Sequence, residues 1–119
     1  MKAQHAILAG LVSAKAKDTD NQLAEIRDAL ASRDILIVAT CVQRRGVSKG
    51  GAKRMHAPLT AATVIGPGKV QELRALVERH EVGMVYFLNA LSSSQIARLS
   101  ALIDCPVASI STLGLSGHW

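Results

Sequence analysis

The sequence predicts an α/β fold: a single small domain with a mainly parallel sheet of about four strands, helices on both faces and a long basic loop after strand two. Short apolar runs alternate along the chain with segments of helical periodicity, as in strands joined by helical crossovers. The apolar runs contain almost no charge, which is typical of parallel strands covered on both faces. The 119 residues are enough for one core and too few for two of ordinary size.

The first half of the chain predicts a strand, a helix and a second strand. Residues 5–13 (HAILAGLVS) are a continuous apolar run of strand length. Residues 19–22 have the hydroxyl-x-x-amide pattern of a capping box, and the apolar residues that follow predict a helix over 20–32. Residues 35–42 (ILIVATCV) are rich in β-branched side chains and predict the second strand.

The second half repeats this alternation. Helical spacing of apolar residues predicts a helix over residues 69–80, and the run 82–88 (VGMVYFL) predicts a third buried strand. A second capping-box pattern at residues 92–95 starts the third predicted helix, and residues 107–110 form a short last strand. The domain is therefore predicted to span residues 1–110, with an exposed or partner-dependent tail at 111–119.

Positive charge is concentrated in the connection after the second strand. The chain has 14 Lys and Arg against 9 Asp and Glu, and no carboxylate lies between Asp34 and Glu72. Its glycines disfavour a helix, so residues 42–62 are predicted to be a basic loop that becomes ordered on an anionic partner. A solvated, non-specific surface is the alternative. The cations predicted to contact RNA phosphates are Arg44, Arg45, Lys49, Lys53 and Arg54.

The segment Gly66-Pro67-Gly68-Lys69 predicts a second anion-binding position. Backbone amides after Gly66 and Gly68, the positive end of the helix dipole and the Lys69 ammonium would together favour a phosphate. The segment is not a nucleotide-binding P-loop, because that pattern requires a hydroxyl residue after the lysine and Val70 stands there. A tight structural turn explains the same residues equally well.

Four polar side chains follow predicted strands or start predicted helices at the carboxyl edge of the sheet, where ligands of such sheets gather. This secondary rim consists of Gln43, Asn89, Ser92 and Gln95. It would serve RNA binding or, alternatively, a protein-interaction or small-ligand accessory function.

We find no nucleophile with its base and no paired carboxylates, so a catalytic residue is not predicted, and the two cysteines lack zinc-ligand spacing. An enzyme whose site is completed by a dimer partner is a third, weaker interpretation.

Three motifs occur in order along residues 35–110. Gln-Arg-Arg follows the second predicted strand at 43–45, Ala-Thr-x-Ile-Gly-x-Gly-Lys occupies 62–69, and Leu-Ser-x-Ser-Gln occupies 91–95. In this combination the chain resembles the N-terminal α/β domain of the HflX family of ribosome-associated GTPases. The resemblance implies a domain that helps to dock such a GTPase on the large ribosomal subunit.

The chain departs from the family pattern in three places: Val64 replaces a usual Tyr, Ser93 replaces a Pro, and the sequence stops at Trp119, where the family continues into a helical hairpin and a GTPase domain. We therefore do not carry GTP hydrolysis over, and we expect a non-catalytic binding module without cofactor or metal. The tail matches the family poorly, which favours a stand-alone protein over a fragment. The expected partner is the large ribosomal subunit or other RNA in the cytoplasm, with no membrane. A protein partner or a homodimer through the apolar tail is left open.

Overall fold

The computed structural model describes residues 4–13, 19–45 and 64–115. The elements alternate as the sequence predicts, which confirms the α/β class. In chain order they are β1 (Gln4–Ser13), α1 (Thr19–Ala31), β2 (Ile35–Arg45), α2 (Pro67–His80), β3 (Met84–Phe87), α3 (Ser93–Ile103), β4 (Val107–Ser109) and a 3-10 helix (Ile110–Leu113).

The sheet has four strands in the order β2-β1-β3-β4. All its strand pairs are parallel, so the prediction of a mainly parallel sheet is confirmed. The strand that comes first in the chain is central, and residues 6–9 of β1 are completely buried. The chain runs outward from β1 to β2 and then returns to β3 on the other side of β1. The carboxyl ends of β1 and β3 therefore mark the point at which the strand order reverses.

Helices cover both faces of the sheet, again as predicted. On one face, α2 and α3 pack Leu73 and Leu99 against Ile7 and Phe87 of the sheet. On the other face, α1 contributes apolar side chains such as Leu30 to a second cluster with Leu8, Tyr86 and Ile110. Consecutive residues of β1 alternate between the two clusters, which explains why its sequence is apolar throughout rather than alternating with polar residues.

A bulge in β2 changes which face its side chains occupy. Ala6 pairs with Ile37 and Ile7 pairs with Ala39, so Val38 is an extra residue in β2. Ile37 packs toward the α1 cluster, whereas Ala39 packs toward the α2 and α3 cluster. Because side chains of a regular strand alternate with a period of two, this single insertion switches the strand from one alternation to the other.

The boundaries around the predicted basic loop differ from the sequence prediction. β2 continues to Arg45, so Gln43, Arg44 and Arg45 belong to a strand rather than to a loop starting at residue 42. Their strand is at the edge of the sheet, where polar side chains can reach solvent at its end. The rest of the predicted loop, including Lys49, Lys53 and Arg54, lies outside the described residues. A basic loop is thus not confirmed.

The chain after β4 is packed for at least part of the predicted tail. Ile110, which opens the 3-10 helix, is completely buried, and Leu113 and Leu115 pack against the α1 cluster. The Arg33 guanidinium also donates a hydrogen bond to the Leu113 carbonyl at 3.0 Å. Residues 111–115 are therefore part of the domain surface, while residues 116–119, with Trp119, lie outside the described ranges. Within those ranges we find no helix long and apolar enough to cross a membrane.

Candidate functional site

The candidate site is the carboxyl edge of the sheet. Because the strands are parallel, all four end at this edge, and the helix that follows each strand begins there. The sequence predictions fall on the end of β2, the start of α2 and the start of α3. We consider these three positions in turn and then the point of strand-order reversal between β1 and β3.

Gln43 joins the end of β2 to the start of α2. Its side-chain Oε1 accepts a hydrogen bond from the Gly66 backbone N–H at 2.9 Å. Gln43 also pairs in register with Leu11 of β1, so the contact is anchored in the sheet. The two anion-binding positions predicted from the sequence, the strand end and the helix start, are therefore adjacent at one edge of the molecule.

The start of α2 offers fewer amides than the sequence implied. The residue after Gly66 is Pro67, the first residue of the helix, which has no N–H. The Gly66 N–H already binds Gln43, and the Val70 N–H binds the Gly66 carbonyl at 2.9 Å within the helix. The amides that remain for a ligand at this terminus are those of Gly68 and Lys69. Gly66 is the N-cap residue, and as a glycine it has no side chain that could accept a hydrogen bond from these amides.

The predicted cation Lys69 has a carboxylate neighbour. Its Nζ lies 3.1 Å from Oε1 of Glu72, one helical turn further on. Both side chains are solvent-accessible, at 26% and 53% exposure. An exposed ion pair of this kind contributes little stability, so the ammonium can exchange Glu72 for a more strongly charged anion such as a phosphate.

Arg44 lies on the opposite face of the sheet from Gln43. It pairs with Val12, which belongs to the α1 cluster, whereas Gln43 pairs with Leu11 of the α2 and α3 cluster. The Arg44 side chain is exposed. The structure thus brings Arg44 and Lys69 to the same edge but to different faces, and a ligand that meets both must extend around the end of β2.

Asn89 closes the point of strand-order reversal. Its side-chain Oδ1 accepts a hydrogen bond from the Leu11 N–H at 2.8 Å, and its Nδ2 donates to the Leu11 carbonyl at 2.9 Å. The amide therefore acts as an additional strand partner for the end of β1, beyond the last residue of β3. In many sheets of this topology a ligand occupies this crevice. Here the protein's own side chain fills it.

The close approach of Asn89 depends on Gly10. Gly10 has φ +153°, and a Cβ at this residue would lie 2.8 Å from Asn89 Oδ1 and 3.1 Å from the Leu88 Cβ. Real Cβ atoms essentially never show the first distance. A glycine inside the central strand is thus explained by the side chain that crosses it.

Sequence reasoning missed Ser109, which extends this polar contact to β4. It is 2% exposed, and its hydroxyl donates to the Asn89 carbonyl at 2.8 Å. The same oxygen accepts from the Ser111 N–H at 3.2 Å and lies 2.9 Å from the Ser111 hydroxyl. The Ser-x-Ser-Thr pattern at the end of a predicted strand was the available signal, since serine and threonine often bond to nearby backbone in this way.

The predicted capping box at the start of α3 is present. The Ser92 hydroxyl accepts from the Gln95 N–H at 3.1 Å, and the Gln95 side chain accepts from the Ser92 N–H at 2.8 Å. Gln43, Asn89, Ser92 and Gln95 thus all hydrogen-bond to the backbone of the protein, and in this way they fix the geometry of the edge.

The two cysteines, Cys41 and Cys105, are buried free thiols, as predicted. Burial raises the pKa of Cys41 to about 11; the Glu72 carboxylate acts in the same direction and Lys69 opposes it. Burial and Asp104 raise the pKa of Cys105. Neither thiol is therefore a ready nucleophile near neutral pH. In the described part of the chain, no cluster of three His, Cys, Asp or Glu side chains is placed to bind a metal ion.

Comparison with known proteins decides the family. Residues 20–115 match the family model described as GTP-binding GTPase N-terminal. The chain belongs to this family. It is also 30% identical over 108 residues to GTPase HflX of Alkalihalophilus pseudofirmus. The alignment covers 90% of the chain and 22% of that relative, so the chain spans about a fifth of the relative's length. The resemblance to the HflX N-terminal domain, based on the three sequence motifs, is confirmed.

Proposed function

We propose that this HflX-type N-terminal domain is a non-catalytic module that binds ribosomal or other RNA through the carboxyl edge of its sheet. The observation that carries the proposal is the hydrogen bond between Gln43 and Gly66, at 2.9 Å. It holds the strand end with Arg44 and Arg45 beside the helix start with Gly68 and Lys69. A polyanion can therefore contact both groups of cations without a rearrangement of the edge.

The distribution of charge supports the same edge. Eight cationic side chains and eight carboxylates belong to the described residues, so these ranges are neutral overall. The five surplus positive charges of the chain belong to the other residues, among them Lys49, Lys53 and Arg54 between β2 and α2. The residues on either side of that connection, the end of β2 and the start of α2, both lie at the carboxyl edge, and we assign its three cations to phosphate contacts.

Recognition is proposed to be mainly electrostatic. Two of the three aromatic residues, Tyr86 and Phe87, are 6% and 0% exposed in β3. They are therefore not available as a platform on which bases stack. Contacts to the phosphate backbone, made by Arg and Lys side chains and by helix-terminal amides, remain as the source of affinity.

The large ribosomal subunit is the proposed partner, since the family resemblance implies it, and the cytoplasm is the proposed compartment. The GTPase activity in the name of the relative belongs to a protein of which the aligned region is 22%. We assign no nucleotide hydrolysis to the residues described here.

Co-sedimentation with ribosomes at several salt concentrations tests the proposal. If all six cations (Arg44, Arg45, Lys49, Lys53, Arg54 and Lys69) contact phosphates, the logarithm of the affinity falls with the logarithm of the salt concentration at a slope of about −4. The variants Arg44→Ala and Lys69→Ala should each reduce the slope by somewhat less than about one. Combined alanine substitution of the three cations between β2 and α2 should reduce it most.

Arg79→Ala is the matched control. Arg79 lies in the last turn of α2, at the opposite end of the helix from Lys69. Its loss removes one positive charge from the molecule without altering the carboxyl edge, so ribosome binding should be unchanged. Equal losses for Arg79→Ala and Arg44→Ala would mean that only net charge matters, and absence of pelleting at low salt would exclude the proposed function.

Use of the edge as a small-ligand or protein-interaction rim has less support. The four rim side chains already bond to the backbone, and Asn89 fills the crevice that a small ligand would occupy. A salt-insensitive protein complex, or a large thermal shift with a small molecule, would favour this alternative over RNA binding.

A further inference from the structure

A depression lies between α1 and the middle of β2, away from the residues that the proposed function uses. Its volume is about 100 Å³, and it is lined by Arg27 of α1 and by residues 37–40 of β2. Arg27 and Thr40 are both exposed, so the two polar side chains of the lining reach solvent. A depression of this size has room for several water molecules or a small anion.

Arg27 brings a positive charge to the depression without a carboxylate beside it. The residues three and four positions away on α1, which are its neighbours on the helix surface, are all apolar. The ion pairs found within the described ranges both lie in α2. On the same side of α1, the next charged residue toward the carboxyl edge is Asp20, two turns or roughly 10 Å away. The guanidinium is therefore available to an external anion.

The bulge at Val38 turns the Thr40 side chain toward Arg27. Thr40 pairs with Leu8, which belongs to the α1 cluster. Ile37 packs toward the same cluster, so in a regular strand the period of two would place Thr40 on the opposite face. The extra residue reverses this alternation. Bulges near binding sites re-aim side chains in this way, and here the result is a hydroxyl on the same face as a cation.

The backbone N–H of Thr40 points away from the sheet. Ala9 directs its carbonyl toward β3, where the Leu88 N–H donates to it at 2.9 Å. Backbone groups of successive strand residues point to alternate sides, so Leu8 directs its own groups toward β2. In a parallel pair the partner of such a residue turns its N–H and C=O outward. Thr40 is that partner, and among the described residues no strand lies on its outer side.

We propose that Arg27 and Thr40 bind one phosphate group. The guanidinium can donate two parallel hydrogen bonds, the Thr40 hydroxyl a third and the Thr40 N–H a fourth. These donors come from a helix, a sheet face and a strand edge. They suit a tetrahedral phosphate, whose oxygens point in several directions, better than a planar carboxylate. The inference does not depend on RNA binding at the carboxyl edge.

Titration of the 119-residue chain with inorganic phosphate, followed by ¹H–¹⁵N NMR, tests the proposal. The Thr40 amide signal should shift in a saturable manner, and sodium chloride of equal ionic strength should not reproduce the shift. Arg27→Ala should weaken phosphate binding about tenfold or more, because charged hydrogen bonds are lost. Thr40→Val, which removes the hydroxyl but keeps the N–H, should weaken it about threefold.

A second titration, with a short single-stranded RNA, identifies the source of the phosphate. Arg44 lies four residues beyond Thr40 on the same face, or about 13 Å along the strand. If the RNA backbone supplies the phosphate, the Thr40 signal should respond to RNA at lower concentrations than to inorganic phosphate. A Thr40 response to phosphate but not to RNA would assign the site to a small phosphorylated molecule. Absence of all RNA binding with the phosphate response retained would count against the proposed function alone.

Arg74→Ala is the matched control. Arg74 is an exposed arginine of α2 paired with Glu78, so its loss removes the same charge away from the depression and should leave the Thr40 response unchanged. The other amide signals of each variant report whether it is folded. A Thr40 signal that does not respond to phosphate would overturn the proposal. So would an equal response in Arg27→Ala, or acetate binding as tight as that of phosphate.

Discussion

Gly10 makes room for the Asn89 side chain, which follows β3, to hydrogen-bond to the end of β1 as a neighbouring strand would. Gly10 leaves room for Asn89 to reach the Leu11 backbone, which is equivalent to adding a hydrogen-bonding partner where β3 has already ended. Asn89 can do this because its side-chain amide carries both a donor and an acceptor, as a peptide group does. The residue therefore has a structural function at an edge where its sequence position indicated only ligand binding.

We expect Gly10→Ala to lower the free energy of unfolding by about 2 kcal/mol or more, because the new methyl group meets Asn89 Oδ1 and Leu88 and the backbone angle is unfavourable. Gly83→Ala is the matched control. A Cβ at Gly83 meets nothing closer than the Gln4 side chain at 4.0 Å, so its effect should be small. Urea unfolding followed by circular dichroism gives both values. Equal effects would show that Gly10 is not the restricted position.

Asn89→Ala should lower the free energy of unfolding by about 2 kcal/mol, because the partly buried N–H and C=O of Leu11 lose their partners. Gln71→Ala, an exposed amide on α2, should have little effect in the same urea experiment. In the double variant, Gly10→Ala should cost less than it does alone, since the clashing amide is gone. Strict additivity would contradict direct contact between these two positions.

The buried thiol of Cys41 predicts a pH dependence of stability. Its pKa is about 11 in the folded protein against an ordinary value of 9.0. As pH rises, the Cys41 thiol ionises at a lower pH in the unfolded chain than in the folded protein. The stability that depends on the neutral, buried thiol is therefore intact below about pH 9 and is lost between about pH 9 and pH 11. In Cys41→Ala, the free energy of unfolding should fall less steeply over this range. Val70→Ala, which also leaves a cavity but removes no titrating group, should keep the steep fall.

The helices α2 and α3 end in the same way. Glu81 and Asp104 cap them with φ values of 51° and 56°, in the left-handed region where glycine is favoured. Each helix therefore stops within one residue and the chain turns directly into the next strand. Neither residue is a usual choice for this position, which is why the sequence did not mark these ends as sharply as a glycine would.

Glu81→Gly should raise the free energy of unfolding by about 0.5–1 kcal/mol, because the left-handed conformation no longer opposes a side chain. Ala75→Gly, at an exposed position inside the same helix, should lower it by about 1 kcal/mol. Thermal and urea unfolding measure both changes. A loss of stability in Glu81→Gly would mean that this side chain makes a contact that outweighs its backbone strain.

The strand β2 shows where prediction from pattern ends. Its apolar start is evident from residues 35–42, but nothing in the sequence indicates that Val38 is an extra residue in the ladder, since bulges depend on the partner strand. Sequence reasoning assigns the arginines at its end to a loop because charge is rare inside sheets. At an edge strand, charge is tolerated, and strand order cannot be read from one sequence.

At the scale of the whole molecule, the alternation of apolar runs and capped helices is sufficient to predict the fold, because parallel sheets require uncharged strands and a helix between each pair. For the same reason the sequence predicts that strand ends and helix starts share one edge. The contacts of the polar residues there were not predictable: Gln43 and Asn89 bond to residues 23 and 78 positions away, which no local pattern encodes. Ser109 was missed because its partner lies outside its own strand.

The position of β1, first in the chain and flanked by neighbours on both sides, has a consequence for how the molecule opens. Amide protons of residues 6–9 can exchange with deuterium only after β2 or β3 has separated from them and the helices on both faces have lifted. Native-state exchange should therefore find the slowest protons at the amino end of the sequence, with β4 and the outer residues of β2 released through smaller fluctuations.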